Sequence, residues 1–212
     1  MGDRFDRLSA RHPNVEALLR RPGIGHNNGP TFDMSWEAWV WRRASAAAWK
    51  PPSPEVAKMR VKRAERLGIT YKELAASLMN TGSNLGAAVM PLSLAARVRR
   101  GPKGEIIVEP RNSIAALVAR FGGRLFLLGD IDAVPALSAA ERAEFLGVVN
   151  RAFDGKVEAI GWGHDGAAIR ALLKSNAMPH QEVFLVGAGM GHEVLGETAG
   201  LPFTKDIESW FQ

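Results

Sequence analysis

From Leu85 onward, short apolar runs alternate with amphipathic stretches, and this rhythm restricts the fold more than any other feature of the chain. The runs AAVMPLSL (87–94), GRLFLLG (123–129), KVEAIGW (156–162) and EVFLVG (182–187) are apolar almost throughout, as strands buried on both faces must be. Between them lie the helical stretches IAALVARF (114–121), AAERAEFLGVVNRAF (139–153) and residues 165–175, with a short helix over 193–199. Parallel strands need such crossovers, because a tight turn cannot return the chain to the same end of a sheet. The expected fold is therefore α/β: a mostly parallel, doubly wound sheet with helices on both faces, preceded by a basic helical module. A turn at GPKG (101–104) precedes the strand-like EIIVE (105–109).

Local signals place the helix ends. Ser53 followed by Pro54 opens a helix over 54–67, and Gly68 closes it. Thr70 with Glu73, and Ser138 with Glu141, are capping boxes in which the hydroxyl and carboxylate answer each other's backbone N–H groups. Asn112 or Ser113 is expected to cap the helix that follows. Further upstream, Ser35 caps a stretch in which Trp36, Trp39, Trp41 and Trp49 fall within 14 residues, a tryptophan-rich face suited to a core or a protein partner. Before it, RPGIGHNNGPTFD (21–33) is too rich in Gly, Pro and Asn for helix or strand. The division expected is a flexible arm over 1–34, the basic helical module over 35–90, and a Rossmann-like α/β domain over 91–212.

Charge divides along the same line. Residues 1–111 hold 19 Lys+Arg against 10 Asp+Glu, and residues 112–212 hold 8 against 12, so +9 and −4 combine into the net +5. Most of the excess lies in 36–100, with 12 basic and 4 acidic residues. If those side chains share a face, the natural partner is an anion, nucleic acid foremost, contacted by Arg42, Arg43, Lys58, Arg60, Lys62, Arg63 and Arg66. With no cysteine, thiolate metal sites, disulfides and cysteine nucleophiles are excluded. No run of 18 apolar residues occurs, and residues 1–21 lack the apolar segment of a signal peptide, so the expectation is a cytoplasmic chain without a membrane partner.

The string RAERLGITYKELAASLMNTGSNLGAAV resembles a helix-turn-helix, with the turn at LGIT, the second helix at ELA and a recognition segment over 83–90. That segment carries Gly86, Ala87, Ala88 and Val89 where base-reading side chains stand in such motifs.

In doubly wound sheets, ligands sit beyond the carboxyl ends of the strands, which directs attention to Asp130, Asp132, His164, Asp165 and residues 187–193. Gly187, Gly189 and Gly191 do not make a dinucleotide fingerprint, since its third glycine would fall at His192. The apolar strand leading to Asp130-Ile131-Asp132, together with Lys174 ahead of EVFLVG, resembles haloacid-dehalogenase-like hydrolases. That resemblance implies Asp130 as nucleophile, Asp132 as acid/base, Lys174 as stabiliser of a phosphoaspartate, and magnesium as cofactor. The residues after VFLVG are AGMGHE, not the Gly-Asp with a further Asp that would ligate the metal. A second alignment suits the strand count better: AAVMPLSL becomes the first strand, Pro91, Leu92 and Ser93 occupy the catalytic turn, and the domain has the fold without the phosphatase chemistry. The whole chain also resembles a group of bacterial proteins with a GIGHNNGP-like segment, which implies no activity. The leading expectation is a non-catalytic, nucleic-acid-binding or regulatory protein that needs no cofactor. The alternatives are a magnesium-dependent phosphohydrolase and a protein-interaction module.

Overall fold

The computed structural model describes residues 52–129 and 137–212. The architecture below is that of Pro54–Gln212, the second of the two units into which the chain divides. The expected arm and tryptophan helix, with Trp36, Trp39, Trp41, Trp49, Arg42 and Arg43, lie outside the described residues, as do Asp130 and Asp132.

Two helices come first, α1 (Pro54–Leu67) and α2 (Tyr71–Thr81). Strand β1 (Ala87–Pro91) leads into a single helical turn, α3 (Leu92–Ala95), and then into an antiparallel hairpin of β2 (Ala96–Arg100) and β3 (Ile106–Pro110). There follow α4 (Asn112–Arg120), β4 (Arg124–Gly129), α5 (Ala139–Ala152), β5 (Val157–Trp162), α6 (Gly166–Ser175), β6 (Val183–Gly187), α7 (Gly189–Ala199) and β7 (Thr204–Asp206). The main sheet runs β5-β4-β1-β6-β7 with every pairing parallel, so its five strands stand in the order 3-2-1-4-5. This is the doubly wound α/β architecture that the alternating pattern predicts. Among the described residues, no helix is long and apolar enough to cross a membrane.

Central position explains the composition of β1. Val89 pairs with Phe126 of β4 on one side and Leu185 of β6 on the other, and all five strand residues are buried. Successive side chains point to opposite faces. Ala88 and Met90 accordingly join the core under α4, α5 and the first two helices, whereas Ala87 and Val89 join the core under α6 and α7. Ala64, Leu67 and Leu74 belong to the first of these cores, so α1 and α2 share it with the sheet. The expected boundary between residues 90 and 91 falls inside β1.

Several expectations need correction. The helix-turn-helix stops at its second helix: residues 87–90 of its recognition segment form the buried central strand and cannot reach a DNA groove. The strand expected over 87–94 ends at Pro91, whose missing N–H cannot extend a ladder. Neither Asn112 nor Ser113 caps α4; its N-cap is Arg111, with no side-chain cap. Helix α7 starts a turn early, at Gly189 instead of Glu193, despite its glycines. Residues 204–206, inside a tail with no strand signal, add the edge strand β7. Both capping boxes, by contrast, are formed as their spacing predicts.

Candidate functional site

The carboxyl edge of the sheet is where the fold class places its chemistry, and the switch point lies between β1 and β6, where the strand order reverses. The chain leaves β1 through Pro91 and Leu92, both buried, and Ser93, which is exposed. Ser93 uses its backbone carbonyl to accept from the Arg111 guanidinium at 3.2–3.3 Å. This turn supplies no carboxylate, as the second alignment of the strands anticipates. Next to it, β4 ends at Gly129, after which Asp130 and Asp132 follow in the chain.

The polar residues after the other two strands make local structure. Asp165 caps α6, its Oδ1 accepting from the Ala168 N–H at 2.8 Å. The His192 ring folds back onto the backbone of Ala188, with Nδ1 3.1 Å from that N–H. Among the described residues no three His, Asp or Glu side chains come together as a metal site. Lys174 is exposed in the last turn of α6. That crossover helix returns the chain toward the amino edge, where Arg124, the first residue of β4, donates to Met178 Sδ at 3.2 Å. Lys174 is thereby carried away from the end of the sheet that Gly129 occupies.

At the amino edge the picture is different. A groove of about 670 Å³ opens between α1 and the segments entering β1 and β4, and Arg60, Lys62, Arg63 and Arg66 line it together with Val56, Met59 and Leu67. Helical geometry brings them together: residues three and four apart share a face, so positions 56, 59, 60, 63, 66 and 67 form one stripe. Asn84, Gly86 and Gly122 complete the lining. Two guanidiniums are tied to this surface by backbone carbonyls. Arg63 Nε donates to Leu85 O at 2.7 Å, and Arg66 reaches Gly122 O at 3.5 Å. Of the seven cations marked by sequence, four therefore meet in one concavity, and Lys58 stands outside its lining. The missed signal was Gly122, where the lack of a side chain leaves room for Arg66: a Cβ there would stand 3.1 Å from its Nε.

No family model matches the sequence, and neither does any curated protein. Among solved structures, the chain is similar to a protein from Streptomyces avermitilis assigned to the HAD family of hydrolases, at 14% identity and a TM-score of 0.38, over 59% of this chain and 72% of that one. It is similar as well to a hypothetical protein from Xanthomonas campestris, at 15% identity and a TM-score of 0.36, over 62% of this chain and 68% of the other. A third likeness is to a Legionella pneumophila protein assigned to subfamily III A of the HAD superfamily, at 11% identity and a TM-score of 0.34, over 59% and 68%.

Proposed function

We propose that this chain binds nucleic acid through its phosphate backbone, with the α1 groove as the seat and the parallel sheet as its rigid support. The observation that carries this reading is the convergence of Arg60, Lys62, Arg63 and Arg66 on one concave surface. Cations that share a surface release counterions together when a polyanion docks, which makes binding both favourable and salt-sensitive. Arginine is the suited residue, because its planar fork meets two oxygens of a phosphate at once. The test is fluorescence anisotropy of a labelled oligonucleotide across a salt series, with the double variant Arg60→Glu, Lys62→Glu. Neither side chain makes a hydrogen bond or ion pair among the described residues, so the fold should tolerate the change. The expected result is weakened binding, with the salt slope reduced by about 1 per lost phosphate contact. Binding that is undiminished in the variant overturns the reading.

A second reading, the magnesium-dependent phosphohydrolase, is favoured by a different observation: β4, which Asp130 and Asp132 follow in the chain, lies directly beside the central strand. The sequence resemblance gives Asp130 the role of nucleophile and Asp132 that of acid/base. The resemblance makes Lys174 the stabiliser of a phosphoaspartate, whereas the fold sets it in the last turn of α6, at the opposite end of that helix from the carboxyl edge. Hydrolysis of a broad panel of phosphate esters with added magnesium decides it. Turnover abolished by Asp130→Asn supports the enzyme, and an intact protein that hydrolyses nothing on the panel removes it.

A further inference from the structure

We infer that the α1 groove takes a single-stranded stretch, seating an unpaired base against Val56 and Met59 while the adjoining phosphate meets Arg63; the inference rests on the nucleic-acid reading above.

Shape is the first ground. The cations do not project from a convex helical ridge, the form that enters a duplex major groove. They line a concavity of about 670 Å³, in the size range of pockets that enclose a small organic molecule. A duplex presents its bases paired and stacked inside a cylinder, so it can touch only the rim of such a groove. A single strand can send one nucleotide into it.

The second ground is how the groove is built. Arg63 is anchored through Nε to Leu85 O at 2.7 Å, which fixes the guanidinium plane and leaves its two terminal nitrogens as a fork. At Gly122 a Cβ would come within 3.1 Å of Arg66 Nε, so a side chain there would crowd that cation. Arg60 and Arg66 are six residues apart on α1, about 9 Å along its axis, a span that covers only a few phosphates.

The apolar part of the lining is the third ground. Met59 is 66% exposed among four cations, a position that gains nothing from burial in the described fold. A polarisable thioether beside guanidinium groups is a favourable surface for the π-face of a base. Stacking of this kind is indifferent to base identity, since every base has such a face. The segment that would have read base edges, residues 87–90, is buried in β1, which agrees with sequence-tolerant binding.

The experiment titrates the full chain into three labelled probes or competitors: an oligothymidylate, a duplex of the same length, and thymidine monophosphate as competitor against the oligothymidylate. The single strand is expected to bind about tenfold more tightly than the duplex, with a salt slope near that of two to four phosphates on a single strand, about −1.4 to −2.8. Met59→Ala, at an exposed position, should weaken the single strand several-fold and the duplex less, whereas Arg60→Gln should weaken both alike; single-strand binding undiminished in Met59→Ala overturns the base seat. Duplex binding as tight as the single strand overturns this inference and leaves the nucleic-acid reading standing. Binding of neither overturns both. Thymidine monophosphate competing at concentrations equal to the oligothymidylate would assign the seat to a free nucleotide and overturn the strand as its occupant.

Discussion

Gly68 shows how much one residue can hold. Its φ of +68° is a left-handed conformation that costs any side chain energy, and it ends α1 as the sequence predicts. Its second role is invisible in the sequence. A Cβ at this position would stand 2.5 Å from a ring carbon of Phe211 and 2.7 Å from Trp210 Nε1. Those rings are pinned by two bonds, from Trp210 Nε1 to Leu67 O at 2.9 Å and from the Phe211 N–H to Gly68 O at 3.1 Å. The bare glycine thus lets the C-terminal residues close over the end of α1, and Trp210, 1% exposed, completes the core against Phe121. Gly68→Ala is expected to destabilise the protein by about 2–4 kcal/mol, strain and overpacking combined, measured by urea unfolding. A loss under about 0.5 kcal/mol, the scatter of ordinary surface substitutions, would show that the C-terminal rings move aside freely. Nothing local could have revealed this, because Leu67 and Trp210 are 143 residues apart.

At the scale of elements, the two capping boxes serve beyond their own helices. In each, the glutamate that answers the N-cap also receives a cation from a distant element. Lys205 of β7, only 6% exposed, donates to both carboxylate oxygens of Glu73 at 2.9 and 3.2 Å, tying α2 to the sheet edge. Arg100 of the hairpin pairs with Glu141 at 2.8 Å, tying β2 to the start of α5. For Glu73, burial pushes the carboxyl up, but the Thr70 N–H and hydroxyl and the Lys205 ammonium outweigh it and hold it below its ordinary value. For Glu141, the Arg100 guanidinium first and then the Ser138 backbone and hydroxyl bring it down from 4.5 to about 2. Both folded values lie below the unfolded ones, so each carboxylate adds stability that is present above the unfolded value and is lost as the pH falls through the folded one, which for Glu141 is about 2. Thermal melts from pH 7 to 2 should therefore be flat in their upper range and fall below about 4.5, with Arg100→Met flattening part of that fall. An unchanged acid profile in the variant would mean that the ion pair adds nothing to the cap.

For the molecule as a whole, the strand order carries the functional argument. The same alternation of strands and helices fits two alignments of the sheet, one starting at GRLFLLG and one at AAVMPLSL, and only pairing decides between them. Val89 lies between Phe126 and Leu185, so the central strand is the one that ends at Pro91 and leads into Leu92 and Ser93. The carboxyl edge at its middle then holds two buried apolar residues and a serine where an acid would be required for aspartyl chemistry. The resemblance makes Lys174, ahead of EVFLVG, a residue of the catalytic edge, yet the crossover geometry of α6 carries it toward the opposite edge. The basic excess behaved in the contrary way. Composition showed it only as a surplus, whereas packing of α1 against the amino edge gathered four of its members into one groove.

What the amino-acid sequence determined by itself was local: the alternation that demands parallel strands, the two capping boxes, the glycine that ends α1 and the turn at GPKG. Each depends on residues a few positions apart, whose backbone preferences and hydrogen bonds are settled before the chain has met itself. Which strand is central, which end of a helix faces which edge, and which arginines share a surface were decided only by tertiary structure. Those facts arise from pairing and burial between segments scores of residues apart, and a one-dimensional pattern of apolar and charged side chains is compatible with more than one such arrangement.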